Sequence, residues 1–472
     1  MIEMDIDAEL AAARDLRASG ADEAALERFM QLIRQAPTHF QALTELGELA
    51  FAAGFRSAAR TVYEQVVREH PEEALGHVNL ANVLIISQDY AAAKTHLIKA
   101  LALRPGFPAA HRGLALVLAE EGDEAAAENH AQLGFAAEPI IEKPYRGIGK
   151  APRVLMLVSA RGGNIPTDLW LNDRRYHLSA IYADYIDPDA PLPPHDLVFN
   201  AIADADLCRN ALQKAIHLIG RTNRPIVNPP DRILHTGRAT IASRLRGHKT
   251  LISPHVRLLP VDVLRARDDV LFPILLRRPG FHTGRHFFRA NDRIAYISVL
   301  DGFARDGVTE ILAIEYLNAR GGDGRARKYR VLFIDGRLYP LHLAISSDWK
   351  VHYFSSAMTD DHAFRAEEAA FLANPQATIG VAGWAALEEI ATTLGLDYAG
   401  IDFGLNAEGD ILLFECNATM VLLPPGPEPE WDYRRPAFER AFAAIEMMMR
   451  DRLGRIGPPG AQSCGSISEQ SA

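Results

Sequence analysis

Two kinds of apolar spacing divide this chain. Up to about residue 140 the apolar positions recur at helical spacing in blocks, and Pro37, Pro71, Pro105 and Pro139 close successive blocks 34 residues apart. Superposing the blocks puts Ala13, Gly47, Ala81 and Ala115 at one shared position and Ala25, Ala59, Ala93 and Ala127 at another. Small side chains there let the two helices of a block approach closely. Each proline stops the second helix, because it lacks an amide hydrogen and disfavours helix in the residue before it.

From residue 153 the spacing changes. "RVLMLVS" (153–159), "HDLVFNAIAD" (195–204) and "RPIVNPP" (224–230) read as strands, and the amphipathic "ADLCRNALQKAIHLIG" as a helix between the last two. Strands alternating with helices predict a small α/β domain with a largely parallel sheet. Its glycine loop, "ARGGNIP", lacks the GxGxxG spacing of a dinucleotide site. Further on, "FPILLRRPGFHTGRHFF" (272–288) predicts two strands around a glycine loop, and "TEILAIEYL" (309–317) another strand. "KYRVLFIDGRLYPLHLAIS" (328–346) predicts a hairpin turning at Asp335 and Gly336, and "AGWAALEEIATTLGL" (382–396) a helix. In "GIDFGLNAEGDILLFECNATM" (400–420), two apolar runs flank the turn-forming "NAEGD", which predicts paired strands carrying Asp402, Glu415 and Asn417. This second order is α+β.

The first region resembles a tetratricopeptide-repeat array over residues 1–141, an all-helical solenoid followed by a linker at 142–152. Such arrays bind peptides or proteins. The repeat pattern itself does not choose between that role, docking on the rest of the chain and a dimer contact.

Composition narrows the rest. At 472 residues the chain exceeds one ordinary core, so two or three domains are expected. A net charge of -10 argues against nucleic acid or an acidic membrane as partner. Cys208, Cys416 and Cys464 form neither a CxxC nor a metal-type spacing, which predicts no disulfide framework and a reducing, cytoplasmic setting. "MIEMDIDAEL" lacks a signal-peptide pattern, and no apolar run predicts a membrane span. The polar "GPPGAQSCGSISEQSA" predicts a disordered tail at 456–472.

Asp402, Glu415 and Asn417 are hard oxygen donors on neighbouring strands, and Glu415 and Asn417, two apart, share a face. Such oxygens suit magnesium, which takes its remaining positions from phosphates and water. An acidic hairpin edge would leave unexplained a charge and an amide inside the apolar "ILLFECNATM".

"DYAGIDFG" through "LLFECNATM" resembles the ATP-grasp superfamily, nearest the branch of glutathione synthetase and the ligases that add glutamate to a ribosomal protein. The resemblance implies a pre-ATP-grasp α/β domain at 153–235 and a two-lobed α+β ATP-grasp domain at 236–455. By it, Asp402, Glu415 and Asn417 bind two magnesium ions beside ATP. Glu315, Tyr316 and Leu317 lie near adenine and ribose. Gly280, His282, Thr283 and Gly284 belong to the loop over the phosphates, while Lys328 and Arg330 face the cleft and Arg330 lies near the γ-phosphate. Arg278 and Arg238 stand where the family commonly has lysine; Arg keeps the charge but is not its equivalent. Asn164, His342, Trp349 and His352 are the implied substrate contacts. The implied activity joins a carboxylate to an amine through an acyl phosphate, on a peptide, a protein or a smaller acceptor. A nucleotide-binding interaction scaffold without ligase activity is the alternative.

Overall fold

The computed structural model describes residues 5–143, 145–280, 286–351, 358–359 and 361–454. The chain divides into two compact units, one of residues up to Met156 with Leu171–Pro193, the other of Leu157–Trp170 with everything from Pro194.

Eight helices in pairs open the first unit: α1 (Ile6–Ala18) with α2 (Asp22–Gln35), α3 (Phe40–Ala52) with α4 (Arg56–Glu69), α5 (Ala74–Ile86) with α6 (Tyr90–Leu103), and α7 (Pro108–Glu121) with α8 (Glu124–Phe135). The four periodic prolines each fall two to four residues past the second helix of a pair. The small residues are the helix contacts: Ala13, Ala25, Ala59, Ala81 and Ala93 are fully buried. Gly47 faces Tyr63, and a Cβ on it would lie 2.5 Å from that ring.

Another register position changes character from block to block. Glu9 pairs with Arg28 at 2.7 Å in the first block, and Leu43 and Val62 join one apolar cluster in the second. In the third and fourth, His77 Nδ1 lies 3.0 Å from His96 Nδ1, and His111 Nδ1 2.8 Å from His130 Nδ1. The Nε2 atoms of His77 and His111 face the carbonyl oxygens of Pro71 and Pro105 at 3.1 and 3.0 Å. A carbonyl only accepts, so these Nε2 atoms carry the hydrogen. Their Nδ1 atoms then accept from His96 and His130.

The predicted linker is partly structured. β1 (Ile140–Lys143) reaches into it and pairs antiparallel with β3 (His177–Tyr182), Ile140 opposite Ile181. Backbone groups that pack need partners, and His177–Tyr182 supplies them. The first unit therefore also takes most of β2 (Arg153–Val158), which was expected to begin the next domain.

In the second unit, β4 (Leu197–Asn200) and β5 (Ile226–Val227) pair in parallel, joined through α9 (Arg209–Ile219) as predicted. After α10 (Pro230–Ile233), α11 (Arg238–Arg244) and β6 (Leu251–Ile252) comes an antiparallel lobe. It contains β7 (Val256–Pro260), α12 (Val261–Arg265), β8 (Ile274–Arg277), β9 (Phe287–Ala290), α13 (Arg293–Arg305) and β10 (Glu310–Glu315). Its strand order is β7-β10-β8-β9, and Tyr296, Leu300 and Phe303 of α13 share the core of this lobe.

A second sheet then forms from β11 (Ala326–Ile334), β12 (Arg337–Ser346), β13 (Tyr398–Leu405) and β14 (Ile411–Asn417), in the order β12-β11-β13-β14-β6. The β11–β12 hairpin turns at Asp335 and Gly336, whose φ values of 47° and 75° suit that turn. Between the hairpins run α14 (His362–Ala373) and α15 (Pro375–Leu394). Gly380, at φ 80° and ψ 158°, breaks α15, so the helix expected at 382–396 is its second segment. A 3-10 helix, Pro429–Arg434, leads into α16 (Arg435–Gly454).

Asn228, fully buried at φ 54°, fastens the segment after β5 to the start of β13. Its Oδ1 accepts the Tyr398 N–H and its Nδ2 donates to the Tyr398 carbonyl, both at 2.8 Å. Among the described residues, no helix is long and apolar enough to cross a membrane. The expected tail at 456–472 lies outside the described residues.

Candidate functional site

The second sheet places one polar residue on each of four strands in a single transverse row. Arg330 of β11 stands opposite His342 of β12 and Asp402 of β13, and Asp402 stands opposite Glu415 of β14. Opposed residues share a sheet face, so register alone brings the four together.

Asp402 is the centre of this row and only 2% exposed. Its Oδ1 accepts from Arg330 Nε at 2.6 Å, and its Oδ2 from Arg330 Nη2 at 2.8 Å and Lys328 Nζ at 3.0 Å. Burial alone would raise its carboxyl; Arg330 and Lys328 more than reverse this and hold it well below the usual carboxylate range. Glu415 Oε1 accepts from Arg238 Nη2 at 2.6 Å and from Asn417 Nδ2 at 2.9 Å. Asn417 Oδ1 accepts from the Thr419 N–H and hydroxyl. Burial, and then Arg330, push the His342 imidazole well below its ordinary value, so it is neutral at pH 7.

A cavity of about 480 Å³ opens over this row. Its floor has a direction set by two glycines of β13. A Cβ on Gly404 would meet Ala319, and one on Gly400 would meet Met420, at 2.4 and 2.8 Å. Asp402 lies between them. On the Ala319 side the cavity is aromatic: the Trp349 ring lies 5.4 Å from Phe287 and 6.5 Å from Tyr316. Arg289 lies over both Tyr316 and Trp349.

Of the residues singled out from the sequence, Arg238, Glu315, Tyr316, Leu317, Lys328, Arg330, Asp402 and Glu415 line this cavity, as do Asn164, His342 and Trp349. Gly280 and Asn417 line a smaller adjoining space of about 40 Å³, which Arg238 and Glu415 also border. His282, Thr283, Gly284 and His352 lie outside the described residues.

Several roles differ from expectation. Arg277, and not Arg278, lines both cavities. Strand parity is the reason: Leu275 and Arg277 share the inward face of β8, while the Arg278 N–H pairs with the His286 carbonyl. Arg277 is 8% exposed, and burial, with Arg238 nearby, pushes its guanidinium down to about 10. Glu315 Oε2 accepts the His255 N–H at 2.9 Å and so fixes backbone. Asn164 accepts from the Ser159 N–H and donates to the Ser159 carbonyl, at 2.8 and 2.7 Å. Both polar ends of that side chain shape its own loop. Trp349 belongs with Tyr316 at the aromatic end.

For a metal, the donor set is incomplete by itself. No group of three or more His, Cys, Asp or Glu side chains among the described residues is arranged to hold an ion. Asp402, Glu415 and Asn417 would have to exchange their bonds to Lys328, Arg330, Arg238 and Thr419 to hold a magnesium ion, one that brings phosphate and water ligands with it. They do not suit an ion that draws most of its shell from protein.

Comparison with known proteins bears on the first unit. The tetratricopeptide repeat family profile matches residues 44–93 and 78–134, so this chain carries tetratricopeptide repeats there. Among solved structures, MamA from Desulfovibrio magneticus RS-1 is 21% identical, with 27% of this chain and 71% of that one covered and a TM-score of 0.25. PilF of Pseudomonas aeruginosa is 20% identical over 27% of this chain and 59% of that one, with a TM-score of 0.26. No curated protein sequence matches the chain.

Proposed function

We propose that the second unit is an ATP-dependent carboxylate–amine ligase working through an acyl phosphate, with the repeats recruiting a peptide or protein on which it acts. The observation that carries this reading is the charge of the cavity. Around the polar row Arg238, Arg277, Lys328 and Arg330 face Asp402 and Glu415, and over the whole cavity seven Lys and Arg side chains among the described residues stand against three carboxylates, Glu315 included. A partly dry space with excess positive charge is costly unless an anion enters it. A polyphosphate supplies that anion, and the Phe287, Tyr316 and Trp349 end offers faces for a nucleobase.

The chemistry needs positioning more than covalent help. A substrate carboxylate oxygen attacks the γ-phosphorus, the bond from phosphorus to the β–γ bridging oxygen breaks, and ADP leaves with that electron pair. The amine nitrogen then attacks the acyl carbon and the C–O bond to phosphate breaks. Phosphate departs, and the proton lost by the amine passes to phosphate or solvent. Arg277 and Arg330 offset charge on the transferred group, and Lys328 holds the phosphates near Asp402. Asp402, Glu415 and Asn417 would hold magnesium, which would supply further neutralisation of phosphate charge.

The test is titration of ATP with magnesium into the wild type and Arg277→Ala, with ADP release measured in parallel. Affinity should fall at least about tenfold in the variant, the effect of losing one charge-assisted contact. Absence of ATP binding in the folded wild type overturns the reading. A second reading, a nucleotide-gated interaction scaffold, draws on the repeats themselves; ATP binding without ADP release under any acid and amine would favour it.

A further inference from the structure

The nucleotide and its phosphates would fill the aromatic end and the charged middle of the cavity, leaving a third segment. Met420 packs on Gly400, on the far side of Asp402 from the aromatic end. Val421, Leu423 and Pro425 follow it along the chain and line the same cavity, with Leu341 of β12 and Phe438 of α16. This wall is apolar, and Leu423 at its rim is 55% exposed.

One cation, Arg434, also lines this cavity beside the apolar wall, and its charge is neutralised from behind. Arg434 is 7% exposed, and its Nε and Nη2 both donate to Oε2 of Glu368, a fully buried carboxylate. The Tyr433 hydroxyl donates to the same oxygen at 2.6 Å, and the Leu343 N–H to Oε1 at 3.2 Å. The other cations belong elsewhere: Arg238, Arg277, Lys328 and Arg330 to the middle, Lys350 next to Trp349, and Arg327 held by Asp323 and Glu367.

We infer that this third segment holds the acyl donor, and that the donor is a monocarboxylic acid with an apolar body, such as an apolar α-amino acid, and not a dicarboxylic acid such as glutamate. The inference rests on the ligase reading. A reacting carboxylate directed at the charged middle finds cations there. A second carboxylate directed at Leu341, Val421, Leu423 and Phe438 would lose its hydration beside an arginine whose charge Glu368 already balances. An apolar body gains from the same burial.

The experiment presents leucine, phenylalanine, glutamate and aspartate in turn, with ATP, magnesium and hydroxylamine. Hydroxylamine nitrogen takes the acyl group from the acyl phosphate, releasing phosphate and leaving a coloured-complex-forming hydroxamate. The same acids are titrated calorimetrically into protein saturated with a non-hydrolysable ATP analogue, for wild type and Leu423→Arg. Leucine or phenylalanine should exceed glutamate by at least about tenfold in both readouts, as expected when one partner must bury an uncompensated charge. Leu423→Arg, a change at an exposed rim position, should narrow or reverse that ratio. Preference for glutamate or aspartate, no binding of any acid to the analogue complex, or an unchanged ratio in Leu423→Arg overturns the inference. Failure to bind ATP would instead remove the ligase reading beneath it, so the two failures are distinguishable.

Discussion

The repeats and the second sheet both place polar side chains at fixed register positions, but they use them differently. One position of the repeats holds an ion pair, an apolar pair and two imidazole pairs in successive blocks, and the helices pair in the same way around each. In the sheet row, each charged group is held by another: Arg330 and Lys328 by Asp402, and Arg238 by Glu415. Exposure explains the contrast. The Arg28 and Glu9 side chains are 40% and 27% exposed, those of Arg330 and Asp402 19% and 4%. Water can replace a lost partner at the first position and has little access at the second.

The largest effect should therefore come from Asp402→Ala, which strands two partly buried cations, Arg330 and Lys328, and should cost about 3–5 kcal/mol in a denaturant titration. A loss below about 1 kcal/mol would erase the contrast between the two regions. Next comes Gly47→Ala, where the added Cβ meets the Tyr63 ring. Overpacking there should cost about 1–3 kcal/mol, visible as a lower thermal midpoint, even though alanine is the better helix former. A stabilised variant would show that Tyr63 yields freely.

A smaller effect concerns pH. Burial, and then the facing histidine, lowers the His96 and His130 imidazoles, with Glu64 opposing at His96. The unfolded chain then binds these protons at higher pH than the folded one. Stability is thus full above the unfolded value of about 6.5 and falls as pH drops through the lower folded values. The double variant His77→Leu, His96→Val copies the Leu43 and Val62 pair and should flatten that slope; an unchanged slope means other groups set it. Smallest of all, Glu9→Gln removes an exposed ion pair and should leave the denaturation midpoint where it was.

How far the sequence revealed this follows from the range of the interactions. The repeat helices were legible because proline and small-residue spacing are local facts, and the β13–β14 and β11–β12 hairpins because their turns announce them. The opposition of Asp402 and Glu415 follows from one such turn. Spacing points to Arg278 where the structure sets Arg277 in the cavity lining, because strand parity depends on where β8 stops, which "ILLRRPG" leaves open; the alternation of Leu275 and Arg277 is the available signal. The use of Asn164 on Ser159, of Glu315 on the His255 backbone and of Glu368 behind Arg434 had no signal in spacing. The last two join residues far apart in the chain, 60 residues apart for Glu315 and His255 and 66 for Glu368 and Arg434. In sequence the end of β1 reads as linker, because its four residues find their partner only in His177–Tyr182.

The Asn228 amide has a kinetic consequence. By giving and taking one hydrogen bond with the Tyr398 backbone, it acts as an extra rung on the ladder at the entry to β13. The Tyr398 amide proton should then exchange with deuterated water as slowly as those in mid-strand, where strand ends ordinarily fray. With Asn228→Ala the protection of that proton should collapse first. Mobility should then spread along β13 toward Asp402, four residues on, loosening the charged row from its end.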